Sequence, residues 1–303
     1  MRKYALLLIV FSMGFISCGD DEMEPSSLTN KENINANLVG TDKTVSRLEM
    51  PHLTSRYDYI CHKLTDGTVN YTFEYDRSHY HAHWVAYTYD AVTAKRNYTS
   101  RTNAWAPDPD IDKNYRLSVQ HFSGFNRGHL VGSAERYSSR EANEQTFYMS
   151  NMSPMLGNFN STYWGEIEDK VRDYWGHTVV SSGSSFYGGT LYVVKGGTLD
   201  QLRRTISVET VMGETVEMAV PKYYWIACLF VSSNGNAKAI GFWLEHKDYN
   251  NLSDAFLVQL RRQAAMSIDE LEKKTGIDFF CNLQDNIENH VEATYDISQW
   301  SGL

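Results

Sequence analysis

The sequence predicts an α+β domain, a mostly antiparallel sheet with flanking helices. Three observations lead there: six segments rich in β-branched and aromatic residues, fewer helical patterns than strand-like ones, and no regular alternation of strand and helix that would signal a parallel sheet. The strand-like segments are Val69 to Tyr75, Trp84 to Tyr89, His177 to Ser182, Leu191 to Val194, Tyr223 to Val231 and Ala239 to Trp243. Between Ser161 and Trp175, the residues Trp164, Ile167, Val171 and Trp175 recur at spacings of three and four. Such spacing gives a helix one apolar face and leaves Glu168 and Arg172 a turn apart on a neighbouring face. Ser267-Ile268-Asp269-Glu270 reads as a capping box that opens a short helix, which Gly276 ends.

The segments before this domain read differently. Arg2 and Lys3 precede an apolar run from Tyr4 to Ile16. The run is too short to span a bilayer and has the length of the hydrophobic part of a secretory signal, so residues 1–17 are expected to be removed. Phe15-Ile16-Ser17-Cys18 resembles the cleavage box of a bacterial lipoprotein, which would make Cys18 the lipidated first residue of an extracytoplasmic, outer-membrane protein facing the periplasm or the cell surface. A lipid at Cys18 would tether the chain to the membrane without spanning it. Ordinary secretion, with Cys18 a bystander, is the alternative. Residues 18–47 begin with an acidic run and continue polar, and their low hydrophobicity suits a flexible tether. Residues 48–303 suffice for one sizeable domain.

The full chain carries a net charge of −9, and Arg2 and Lys3 are the only charged residues in 1–17, so their loss would leave −11. Such a protein is a poor general binder of nucleic acid, because phosphate is repelled. Activity on nucleic acid would therefore require a locally basic groove. Beyond Cys18, Cys61, Cys228 and Cys281 allow at most one disulfide among themselves; Cys228 sits in an apolar run and suits a buried position, and a Cys61–Cys281 bridge stays open.

The chemistry gathers between Gly124 and Arg172. Here a histidine lies close to an arginine, asparagines occupy turn-like sequence, and a helical segment carries a glutamate and a second arginine. A base, oxygen ligands for a hard cation and arginines for phosphate are the parts needed for metal-assisted hydrolysis of a phosphodiester. Phe125-Asn126-Arg127-Gly128-His129, Ser150-Asn151-Met152-Ser153-Pro154, Asn158-Phe159-Asn160, Trp164 and Glu168 to Arg172 together resemble the DNA/RNA non-specific endonuclease family. That family has a ββα-metal motif and an Asp-Arg-Gly-His signature. Thinner similarity runs through Trp84 to Tyr87, Arg101, Trp105 to Pro109, and Thr275 to Phe280, so the resemblance covers about residues 50 to 295.

The resemblance implies a role for each residue. His129 becomes the general base that takes a proton from the attacking water. Asn160 becomes the direct ligand of Mg²⁺, with Mn²⁺ and Ca²⁺ as alternative ions, and Glu168 orients water around the cation. Arg127, Arg172 and Arg101 hold the phosphate. Asn151 is expected to touch substrate or to orient the loop, and Gly128 to allow a tight turn beside the base. One position departs from the family: Asn126 stands where the signature has Asp. An amide keeps the local hydrogen bonds without the charge, and activity is expected to survive.

Each of these residues also has an ordinary reading. Glu168 and Arg172 could be an exposed helix pair, Asn160 a helix cap, and Arg101 a surface charge. His79, His81 and His83 could share one strand face and attract zinc, but no cysteine or carboxylate is evidently paired with them. There is no nucleophile elbow and no phosphate-cradling loop, which removes serine-hydrolase and P-loop chemistry. Three functions stay in play. The leading one is a metal-dependent endonuclease acting on DNA and RNA. The others are a surface lipoprotein binding nucleic acid or glycan without cleavage, and a phosphodiesterase for small diesters.

Overall fold

The computed structural model describes residues 33–250 and 252–303. The signal-like run, Cys18 and the acidic residues after it lie outside the described residues. In chain order, β1 (Asp58–Lys63), β2 (Val69–Asp76) and β3 (His81–Tyr89) form a meander. Then come β4 (Asn126–His129), α1 (Arg140–Gln145), β5 (Met152–Met155) and α2 (Gly165–Asp169), the last flanked by π-helical turns at Phe159–Trp164 and Lys170–Gly176. The second half holds β6 (Thr190–Gly197), β7 (Leu202–Glu209), β8 (Thr215–Pro221), β9 (Tyr223–Val231) and β10 (Ala237–Glu245), then α3 (Asp254–Ala264), β11 (Ala265–Met266), α4 (Ile268–Thr275) and α5 (Asp285–Ala293).

A seven-stranded antiparallel sheet runs in the order β1-β2-β3-β6-β9-β10-β11, with the two strand pairs β4–β5 and β7–β8 outside it. Alternate side chains on each strand face opposite ways, so the sheet buries both faces. On one, Tyr87, Val193, Ile226 and Ile240 pack with Trp164, Ile167, Val171 and Trp175 of the helical run. On the other, Ala86, Val194, Ala227 and Ala239 meet Ile268, Leu271 and Val291 of α4 and α5. A smaller third core joins Met149 and Met152 to Ile206, Val208, Met218 and Val220 of the β7–β8 hairpin.

The predicted α+β class and antiparallel sheet are present, and the tryptophan spacing does mark a helical face. The capping box also forms: Ser267 Oγ accepts from the Glu270 amide, and Gly276 closes α4 in the left-handed region at φ 69°. Other expectations need correction. His177–Val180 is a 3-10 helix, not a strand, because the helical run continues into it and both His177 ring nitrogens are held by backbone carbonyls, of Ala94 at 2.7 Å and Ala134 at 3.1 Å. Cys61, Cys228 and Cys281 are free thiols, so the Cys61–Cys281 bridge is not formed.

Residues 33–47, expected as part of a tether, are fastened to the domain. Asn37 is buried, donates to the carbonyls of Val45 and Pro51, and accepts from the Leu53 amide at 2.8 Å. The histidine triplet does not gather either. A bulge in β3 interrupts the alternation; His81 bonds Ser153 Oγ at 2.6 Å, His79 pairs with Asp76, and His83 stacks on Tyr57.

Candidate active site

Strands β4 and β5 place the signature. Asn126 pairs with Met155 and His129 with Met152 across the segment that holds α1, and the helical run follows directly, giving an antiparallel strand pair then a helix. Gly128 is extended in β4 rather than turned. Its requirement is space: a Cβ there would overlap the Met155 side chain, lying 2.5 Å from its Cγ.

Arg127 and His129 are two residues apart on β4 and so share a face. Both meet the Trp105 ring: the Arg127 guanidinium stacks 3.6 Å from its centroid, and the His129 ring lies 5.6 Å away. Phe147 closes the other side, edge-on to His129 at 5.0 Å and beneath the Arg101 guanidinium at 4.8 Å. His129 is only 8% exposed, and its buried Nε2 has no hydrogen-bond partner among the described residues. Burial first, then the charges of Arg101, Arg127 and Lys195, push its pKa down to about 3.

An open cleft of about 280 Å³ runs alongside, lined by Arg101, Trp105, His121, Phe125, Asn126, Arg127 and Asn160. A second, of about 440 Å³, shares Phe125 and adds Arg203 and Arg204. No carboxylate lines either cleft among the described residues, which makes this a locally basic track on an acidic protein. Arg101 is braced by Asn103 at 2.9 Å and Ser133 at 3.0 Å. Asn160 lies within the first turn of the helical run rather than at its cap; its backbone N–H donates to Leu156 O at 2.9 Å, and its side-chain amide makes no hydrogen bond among the described residues.

The remaining predicted residues sit differently. Glu168 Oε1 receives Lys195 Nζ at 3.0 Å, and Lys195 is also clamped by both oxygens of Glu135 at 2.8 Å. Burial raises the Glu168 carboxyl above its ordinary range, while Lys195 pulls it back. Arg172 is held by Asp169 at 2.5 Å and Asp173 at 2.7 Å and does not line the cleft. Asn151 is buried; its Oδ1 accepts from Val131 N at 2.8 Å and its Nδ2 donates to Val131 O at 2.9 Å and Thr146 O at 2.8 Å, thereby fixing the chain just after His129.

Sequence reasoning missed Lys195 and Glu135. Glu135 accepts from the Gly132 amide and the Tyr87 hydroxyl, both at 2.7 Å, so the pair ties the sheet, the turn after His129 and Glu168 together. A lone lysine in the apolar run Leu191-Tyr192-Val193-Val194-Lys195 was the available signal, since lysine is seldom buried unpaired. A His62, Asp108 and Asp110 group was also overlooked. Its two ring nitrogens face carboxylates at 2.9 and 3.1 Å and Asp108 also takes Ser150 Oγ, so its polar atoms are satisfied internally.

Known proteins share both sequence and architecture with this chain. A nuclease of Nostoc sp. is 29% identical over 232 residues, covering 75% of this chain and 76% of its own. Nuclease C1 of Cunninghamella echinulata is 27% identical over 71% of this chain and 81% of its own, and the Serratia marcescens nuclease 24% over 74% and 77%. A crystal structure of an EndoG/EndoGI complex superposes with a TM-score of 0.58 at 18% identity, over 85% of this chain and 97% of that one, which shows a common fold. The model of the DNA/RNA non-specific endonuclease family matches residues 63–286, and the chain belongs to that family.

Proposed function

We propose that this protein is a metal-dependent endonuclease that hydrolyses DNA and RNA with little sequence preference, and that it works outside the cytoplasm, anchored by a lipid at Cys18. The observation that supports the activity best is the shared cleft, where Arg101, Arg127 and Asn160 line one wall system and His129 lies against the same Trp105 ring. Arginine guanidinium groups at its rim suit phosphate, and neutral imidazole suits a proton acceptor.

The donors fit a hydrated hard cation. Asn160 offers a side-chain amide oxygen that no other group uses among the described residues, and Mg²⁺ ordinarily keeps several waters and completes its shell with substrate phosphate. Asn160 would hold the ion, which when bound would stabilise charge developing on the phosphate. The chain's own work is then to orient and neutralise. Arg101 and Arg127 hold the phosphate, and His129 accepts the proton of the attacking water. Glu168, steadied by Lys195, orders water from the helix. Arg172, held by Asp169 and Asp173, acts on the electrostatics around Glu168 rather than by contact. Asn126 supplies a neutral amide to the cleft where the family signature has a carboxylate.

The test is cleavage of supercoiled plasmid and of RNA by the purified protein with Mg²⁺ or chelator, alongside His129→Ala. Nicking should require the metal and fall by about 10²–10⁴-fold in the variant while its circular dichroism stays native. Intact substrate with Mg²⁺, Mn²⁺ and Ca²⁺ alike would sink the endonuclease reading.

A further inference from the structure

The face of the sheet opposite the cleft carries an unneutralised cluster of acids between α4 and α5. Asp269 and Glu272 are three apart on α4, and Glu288 and Glu292 four apart on α5, so each pair shares a helix face. One carboxylate oxygen from each of Asp269, Glu272 and Glu292 lies within 4.8 Å of the others. No ion pair among the described residues involves any of these four acids.

A separate observation points to a ligand. Glu292 is only 5% exposed, and its Oε1 is sealed from solvent without a hydrogen-bond partner among the described residues. Burying a carboxylate oxygen with nothing to satisfy it is costly, and a cation or a proton removes the cost. Its neighbours have partial partners: Glu272 Oε1 accepts from the Phe279 amide at 2.8 Å, and Glu288 Oε1 from Asn35 Nδ2 at 2.8 Å. Burial, reinforced by the surrounding carboxylates, pushes Glu292 up to about 10 and Glu272 up to about 7.

We propose that Asp269, Glu272 and Glu292 form a calcium site separate from the catalytic cleft. The donor set decides the ion: one oxygen each from Asp269, Glu272 and Glu292, within 4.8 Å of one another, makes an all-carboxylate group, and Ca²⁺ takes such oxygens at about 2.3–2.6 Å in an irregular shell that water can complete. Mg²⁺ needs a tighter octahedron, and Zn²⁺ favours nitrogen and sulfur, which this cluster lacks. Bound calcium joins α4 to α5.

The experiment is thermal unfolding of the full chain, stripped with chelator and titrated with CaCl₂. It is run on Asn160→Ala, so that the catalytic ion contributes nothing, and on that variant combined with Glu292→Gln or Asp269→Asn. Calcium at about a hundredfold above its Kd should raise the Asn160→Ala midpoint by roughly 5–10 °C. Equilibrium dialysis should find one ion retained per chain. Both effects should disappear with Glu292→Gln; should that variant not fold, Asp269→Asn carries the same expectation. An unchanged midpoint in Asn160→Ala overturns the site and leaves protons as what holds the carboxyls together. A full calcium shift surviving both acid substitutions overturns it equally.

Discussion

His129 illustrates how one residue's surroundings set its chemistry. Trp105 and Phe147 wall the ring, and Arg101 and Arg127 add positive charge, all of which disfavour the imidazolium. With its pKa lowered to about 3, His129 stays neutral across the working range, and the stability that goes with its neutral form is whole above the ordinary value and is lost progressively as pH falls from there to the lowered one. Glu168 moves the opposite way, raised by burial, so its carboxylate is lost as pH falls through that raised value. The acid limb of kcat/KM, which reports the free enzyme, should therefore follow Glu168 and not a histidine near 6.5. Measured on a short duplex, the limb should flatten in Glu168→Gln. Persistence of an unchanged limb near pH 6.5 in that variant would show that His129 titrates normally.

At the scale of elements, Lys195 on β6 is the joint between the sheet and the helix that carries Glu168. It is fully buried between Glu135 and Glu168. Lys195→Met strands two carboxylates, and breaking a buried pair by removing one partner typically costs about 3–5 kcal/mol. Urea unfolding should show that loss; a change under about 1 kcal/mol would mean the two acids neutralise each other by taking up a proton. That joint also explains what the sequence could and could not tell. Strands such as Tyr223–Val231 were legible because six of its nine residues are aromatic or β-branched in an unbroken apolar run, and the helix because Trp164, Ile167, Val171 and Trp175 keep its period. Strands β4 and β5 were not legible by pattern. Each is four residues long, β4 is polar, and both are held by pairing to each other, so only the resemblance located them. His177–Val180 misled because its β-branched residues follow directly on the helical run, with Thr178 Oγ1 donating back to Trp175 O at 2.8 Å and the His177 ring lodged against the carbonyls of Ala94 and Ala134. The hydrogen-bond partners of Asn151 and Glu168 were not legible, since a motif names a residue without revealing which of its neighbours consumes its hydrogen bonds.

For the whole molecule, the question is how a chain of net charge −9 can handle a polyanion. A net negative charge disfavours nucleic acid, and the track from Arg101 and Arg127 past Phe125 to Arg203 and Arg204 gathers positive charge locally. Phosphate contacts release condensed counterions, and the salt dependence of binding counts them at about −0.9 per contact on duplex DNA. Two to four arginines therefore predict a slope of log Kobs against log salt between about −2 and −4 for the inactive His129→Ala protein. Each of Arg127→Ala and Arg204→Ala should make the slope shallower by about one. Fluorescence anisotropy with a labelled duplex between low and physiological salt reads this directly. A slope near −8 would require a basic surface far larger than this track, and a slope near zero would mean that the arginines do not meet phosphate. A slope in the predicted range would explain how an acidic nuclease engages its polymer through one narrow strip and releases the products to a surface that repels them.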